Sequence, residues 1–208
     1  MARLGEAARS REHAMAEHGR LLAVHEQWLV DMEVRETARA MIDATRLGET
    51  LREAFLQRSF LDLAGRRTVY QAIVDAAAIY SGASGVDLQV FDADTETLTI
   101  ESHYGFSHDF LDAFRQVRVD DPTACAMSLR TLRPVLVHDV RSSPIFADRT
   151  TLQNVLDAGT TAVYSYPLLG PDRAPRAVLS FHHRAQVPQQ ATARGIARDA
   201  ARVIAGLG

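Results

Sequence analysis

The sequence has no lysine. All 23 of its Lys/Arg residues are arginine, set against 26 Asp and Glu, for a net charge of −3. No basic footprint for nucleic acid arises from such a balance, so no nucleic-acid partner is expected. Cysteine is almost absent. Cys125 stands alone, which excludes an internal disulfide and leaves the cytosol as the default compartment. No apolar run reaches the roughly 18 residues that a membrane span needs. The first residues, MARLGEAARSREHAM, alternate charge and alanine and lack the apolar core of a secretory signal. A cytoplasmic protein without a membrane partner is the expectation. Proline is missing from residues 3–62, where glycine occurs only at 5, 19 and 48.

What is present suffices for a core. Hydrophobic residues make up 47% of the 208, enough for one large domain or a medium domain with an extension. The Pro-free start is rich in helix formers. Leu21, His25, Trp28 and Met32 repeat at helical spacing, Leu22 and Leu29 widen the stripe, and Met41 and Ile42 resume it. Arg35, Glu36 and Arg39 interrupt it, so it is not a clean heptad coiled coil. A single apolar stripe on a long helix needs a partner surface. Residues 1–62 are therefore read as a helical extension that forms a homodimer, with a fold-back hairpin as the alternative.

From residue 63 onward the pattern is that of a separate domain. Val69, Ile73, Ala77 and Tyr80 mark a helix ended by the SGASG cluster. Val86, Leu88 and Val90 alternate as a half-buried strand, and Leu98, Ile100, Ser102 and Tyr104 as its hairpin partner across DADTET. Ser107 and Asp121-Pro122 read as starts of two short helices. The first carries Phe110, Leu111 and Phe114, and the second Cys125, Leu129 and Leu132. Pro134 ends the second, and Val135–Val140 reads as a strand. A short helix with Leu152, Val155 and Leu156 closes at Gly159. Residues 160–169 and 176–183 form a second hairpin across GPDRAP, and residues 188–207 a last helix carrying Ile196, Ala200 and Ile204. The order predicts an α+β fold, an antiparallel sheet with flanking helices.

Five segments carry a family resemblance: GFSHDFLDAFRQV, ACAMSLRTLRPVLVHDV, SSPIFADR, GTTAVYSYPLL and VLSFHH. In order and spacing they resemble a GAF domain, most nearly the sensor modules of bacterial signalling proteins, over residues 66–208. The resemblance implies a five- to six-stranded antiparallel sheet of GAF/PAS-like form. Terminal helices cover one face, and loops and short helices cover a ligand cavity on the other. It also implies a sensory role in signal transduction, acting through a partner protein. Departures narrow the ligand. The chain lacks the lysine of the cyclic-nucleotide signature. The neighbours in TACAM do not match a bilin attachment motif. One cysteine cannot supply the disulfide cycle of the free-methionine sulfoxide reductase branch. Cys125-Ala126 stands where many relatives have Cys-Gly, and His138 where an acidic residue is frequent.

Candidate ligand contacts lie around residues 106–146, the stretch that holds Cys125 and much of the aromatic content. Tyr104, Phe106, Phe110 and Phe114 are the aromatic candidates there. Cys125, Leu129 and His138 follow on the next helix and strand, and Tyr164, Ser165 and Phe181 on the second hairpin. The expected ligand is small and mostly apolar. For Cys125 the bland reading is a small core residue, ahead of a pocket wall and a reactive thiol. His103, His138, His182 and His183 fall on or beside strands, and alternation lets at most one of the neighbours His182 and His183 join a cluster. No tight metal-ligand spacing is present. Haem and bilin are disfavoured cofactors, though a haem- or redox-responsive sensor is retained as an alternative. Ser165, His182 and Asp139 lack the strand–turn–helix context of a hydrolase nucleophile. The chain is read as non-enzymatic, the alternatives being an interaction module with a collapsed pocket and a Cys125-dependent reductase.

Overall fold

The computed structural model describes residues 64–146, 149–185 and 190–207, plus Leu56, Phe60 and Leu61. Apart from those three, the extension anticipated over residues 1–62 lies outside the described residues, as does its dimer contact. Helix α1 (Arg66–Ser81) buries Val69, Ile73 and Ala77 on the anticipated face. It ends at Gly82, whose left-handed φ of 65° lets its N–H reach the Ala78 carbonyl. Strands β1 (Gly85–Asp92) and β2 (Thr97–Tyr104) form the first hairpin. Helix α2 (His108–Phe114) and strand β3 (Gln116–Arg118) follow. Helix α3 (Ala124–Thr131), strand β4 (Val135–Val137), a 3-10 turn (Pro144–Phe146) and helix α4 (Arg149–Asp157) come next. Strands β5 (Ala162–Leu169) and β6 (Pro175–His183) make the second hairpin, and α5 (Gln190–Ala205) closes the fold.

The six strands run in the order β3-β2-β1-β6-β5-β4, and every pairing is antiparallel. This is the α+β architecture expected. Helices α1 and α5 pack on each other and on the central strands. Their apolar stripes, among them Ile73 and Ile196, are fully buried, each such side chain stabilising the fold by about 1.5–3 kcal/mol. Leu88, Leu179 and Phe181 face this layer. On the other face, α3 packs on β4, β5 and β6. There Ala126 and Leu129 meet Leu98, Val117 and Val178.

Several details depart from the sequence reading, among them strand β4, which stops at Val137 and not at Val140. Strand β1 is not half-buried: Asp87 and Gln89 are as buried as Val86 and Leu88, because β1 is central and both its faces are covered. Strand β2 does not keep one face. Leu88 pairs with Ser102 and Gln89 with Ile100, which leaves Glu101 as an extra residue. The bulge sends Ser102 to the α1 side, where its hydroxyl donates to Gln71 Oε1 at 2.7 Å, while Ile100 stays on the α3 side. Helix α3 is capped by Thr123, not Asp121: the Thr123 side chain accepts from the Ala126 N–H. Strand β3 was not anticipated, since three residues are too few to show a period.

Candidate ligand cavity

The α3-side face of the sheet is polar at its centre. Alternation along β1 brings Asp87 and Gln89 to this face, beside Ser180 and His182 of β6 and Ser165 of β5. All five are at most 5% exposed. Their groups are largely tied to one another. His182 Nε2 lies 3.0 Å from Asp87 Oδ2, and His182 Nδ1 lies 3.4 Å from Thr160 Oγ1. The Ser165 and Ser180 hydroxyls share a hydrogen bond of 2.9 Å. Gln89 Oε1 is buried and has no hydrogen-bond partner among the described residues.

An aromatic lid covers this polar centre. Ser107 caps α2 by accepting from the Phe110 N–H. Phe106 stacks on Phe110 with ring centroids 4.0 Å apart, and both rings stand nearly perpendicular to that of His182, at 4.9 and 5.6 Å. Two glycines permit the approach. A Cβ on Gly85 would stand 2.7 Å from the Phe106 ring. Gly105 has φ 78°, and a Cβ there would stand within 2.2 Å of the Ser84 carbonyl oxygen. Phe146 and Val155 close the lid from the 3-10 turn and α4. Helix α3 is fixed on β5 by the buried Ser128 hydroxyl, 3.0 Å from the Arg133 carbonyl and 3.2 Å from that of Ser165.

Between sheet and lid is a cavity of about 30 Å³. That is room for water-sized groups, an order of magnitude below a pocket for a drug-sized ligand. Its free surface is almost entirely carbon. Of the anticipated contacts, Phe110, Phe114, Cys125 and Ser165 line it. Phe106 stands behind Phe110. Leu129 belongs to the neighbouring cluster under β2 and β3. Tyr104 is 49% exposed, and its partner Val86 faces the α1 side. Tyr164 and Phe181, paired across β5 and β6, point toward α5. The exposed His138 reaches Tyr164 OH at 3.2 Å through Nδ1. Asp87, Gln89, Ser180 and His182 were missed. In sequence they are the polar half of an alternating strand, which looks the same whether water or a lid covers it.

Cys125 keeps part of its surface exposed, yet its Sγ meets Thr123 Oγ1 at 3.2 Å beside the cavity. Burial pushes its thiol up to about 12. The Thr123 hydrogen bond opposes that rise, and the Asp87 carboxylate adds to it. Such a thiol stays protonated near neutral pH and is a poor nucleophile. Among the described residues no group of three or more His, Cys, Asp or Glu could hold a metal ion, and no helix is long and apolar enough to cross a membrane.

A helix-covered antiparallel sheet of order β3-β2-β1-β6-β5-β4 matches known structures. The fold is that of a GAF domain. One similar structure is the GAF domain of a phosphoenolpyruvate-protein phosphotransferase from Coxiella burnetii, 11% identical, with a TM-score of 0.58 over 81% of this chain and 95% of that one. A GAF domain/HD domain protein from Geobacter sulfurreducens is 18% identical, with a TM-score of 0.57 over 70% of this chain and 95% of that one. A free methionine-R-sulfoxide reductase from Neisseria meningitidis, determined in complex with its substrate, is 12% identical, with a TM-score of 0.59 over 75% and 84%. No family model matches the sequence, and no curated protein does. At these identities the likeness is one of fold.

Proposed function

We propose that this chain is a non-enzymatic sensory or regulatory GAF protein, and that a small, mostly apolar molecule binds between the sheet and the α2–α3 lid. The observation that carries this reading is the carbon-surfaced cavity over the buried centre of the sheet. The lid suits entry: in α2 only Phe110 is buried, so few contacts hold the helix down. The same strands carry the cavity on one face and α1 and α5 on the other. A ligand that displaces Phe110 and Phe114 thus shifts strands on which the terminal helices rest. A homodimer through residues 1–62, or a partner protein, reads that shift. The Cys125 thiol at about 12 speaks against the reductase and redox-sensor alternatives.

A thermal-shift screen with small apolar compounds tests the proposal. A ligand at a hundred times its Kd adds about 2.7 kcal/mol of stability. Val163→Phe, which fills the cavity from β5, is expected to abolish the shift. A shift that survives in this variant places the ligand elsewhere. The small volume favours a second reading, a protein–protein interaction module with a collapsed pocket. That reading gains if no compound shifts the transition.

A further inference from the structure

Gln89 Oε1 is the exception among the polar groups around the cavity. The hydroxyls of Ser165 and Ser180 satisfy each other, Asp87 holds His182, and Thr123 caps α3. Gln89 is 2% exposed, lines the cavity, and its amide oxygen has no partner among the described residues. Leaving a buried acceptor unpaired is unfavourable, and a bound donor recovers part of that loss. Charge narrows the choice further. No arginine lines the cavity, and its titratable lining groups are Asp87, His182 and Cys125. An anion would meet the Asp87 carboxyl, with no arginine there to pair it. An ammonium group would lose its hydration while Asp87 is already engaged by His182.

We propose that the cavity selects a compact, uncharged, mostly apolar molecule bearing one N–H or O–H group that donates to Gln89. This rests on the ligand-binding reading above and adds the chemical class of the ligand. Because the cavity is about 30 Å³, a ring-sized molecule enters with Phe110 and Phe114 displaced.

Phenol, toluene and benzoate serve as probes, titrated into the full chain and followed by the NMR signals of the Gln89 side-chain amide and the Val163 methyls. Phenol and toluene share a shape and differ in the donor. Phenol is expected to bind about tenfold more tightly than toluene, the size of one net hydrogen bond, and to move the Gln89 amide signals. Benzoate is expected not to bind. In Gln89→Met, which keeps the shape and removes the acceptor, the preference for phenol is expected to vanish. Gln89→Leu serves if the methionine variant does not fold. Toluene binding as tightly as phenol in the wild type, or benzoate binding best, overturns the donor requirement while leaving a ligand cavity in place. A phenol preference that persists in a folded Gln89 variant also overturns it. If no probe moves either set of signals, the donor requirement falls; if the broader compound screen is also silent, the ligand reading falls with it.

Discussion

Cys125 and His183 show how burial sets what a side chain can do. With its thiol at about 12, Cys125 is expected to react with iodoacetamide at pH 8 about a hundredfold more slowly in the native protein than in urea. Equal rates would contradict the burial argument. His183 is 4% exposed, and its Nδ1 has no hydrogen-bond partner among the described residues. Burial lowers its pKa below the ordinary 6.5, and the neighbouring His182 lowers it further. The folded state therefore binds the proton later than the unfolded chain does. Stability from this group is complete above about pH 6.5 and declines as the pH falls from there toward the folded pKa. The slope approaches at most about 1.4 kcal/mol per pH unit. Urea midpoints of the wild type between pH 7.5 and 5.5 should fall more steeply than those of His183→Phe, and matching slopes would refute the assignment. Neither property was legible in the sequence, where a lone cysteine on an apolar helix face and a pair of strand histidines admit several readings.

At the level of elements, the hairpins and the terminal helices with their buried faces were legible, and the faces of β1 and β2 were not. Helical spacing located α1 and α5, and the turn residues located both hairpins, because these signals are local. The Glu101 bulge is different. It exchanges the face of β2 without any sequence mark, so Leu98 and Ile100 part company with Ser102 and Tyr104. The junction between β2 and α2 depends on Gly105, whose φ of 78° and contact with the Ser84 carbonyl leave no space for a side chain. Gly105→Ala is expected to cost more than about 2 kcal/mol, combining left-handed strain with a backbone clash. Equilibrium denaturation measures this. Gly82→Ala is the control, since its φ is similar at 65° but a Cβ there meets nothing within 4 Å. An equal loss at both positions would mean that strain alone, without the clash, accounts for Gly105.

For the whole molecule, the open matter is how a change in the cavity leaves the domain. The proposed dimer through residues 1–62 predicts that a chain of residues 63–208 sediments as a monomer while the full chain sediments as a dimer. A dimer in both would put the interface in the domain instead. The α+β class, the two hairpins and the terminal helices followed from composition, periodicity and turn chemistry, which act over a few residues. The resemblance in segment order added a cavity on one face of the sheet. Which residues reach that cavity depended on strand order. Only the β1–β6 and β5–β6 pairings bring Asp87, Gln89, Ser165, Ser180 and His182 into one patch. Only the lid turns that patch from a solvated face into a buried one. Burial is a property of what covers a residue, and the covering helices are separated from it by long stretches of chain.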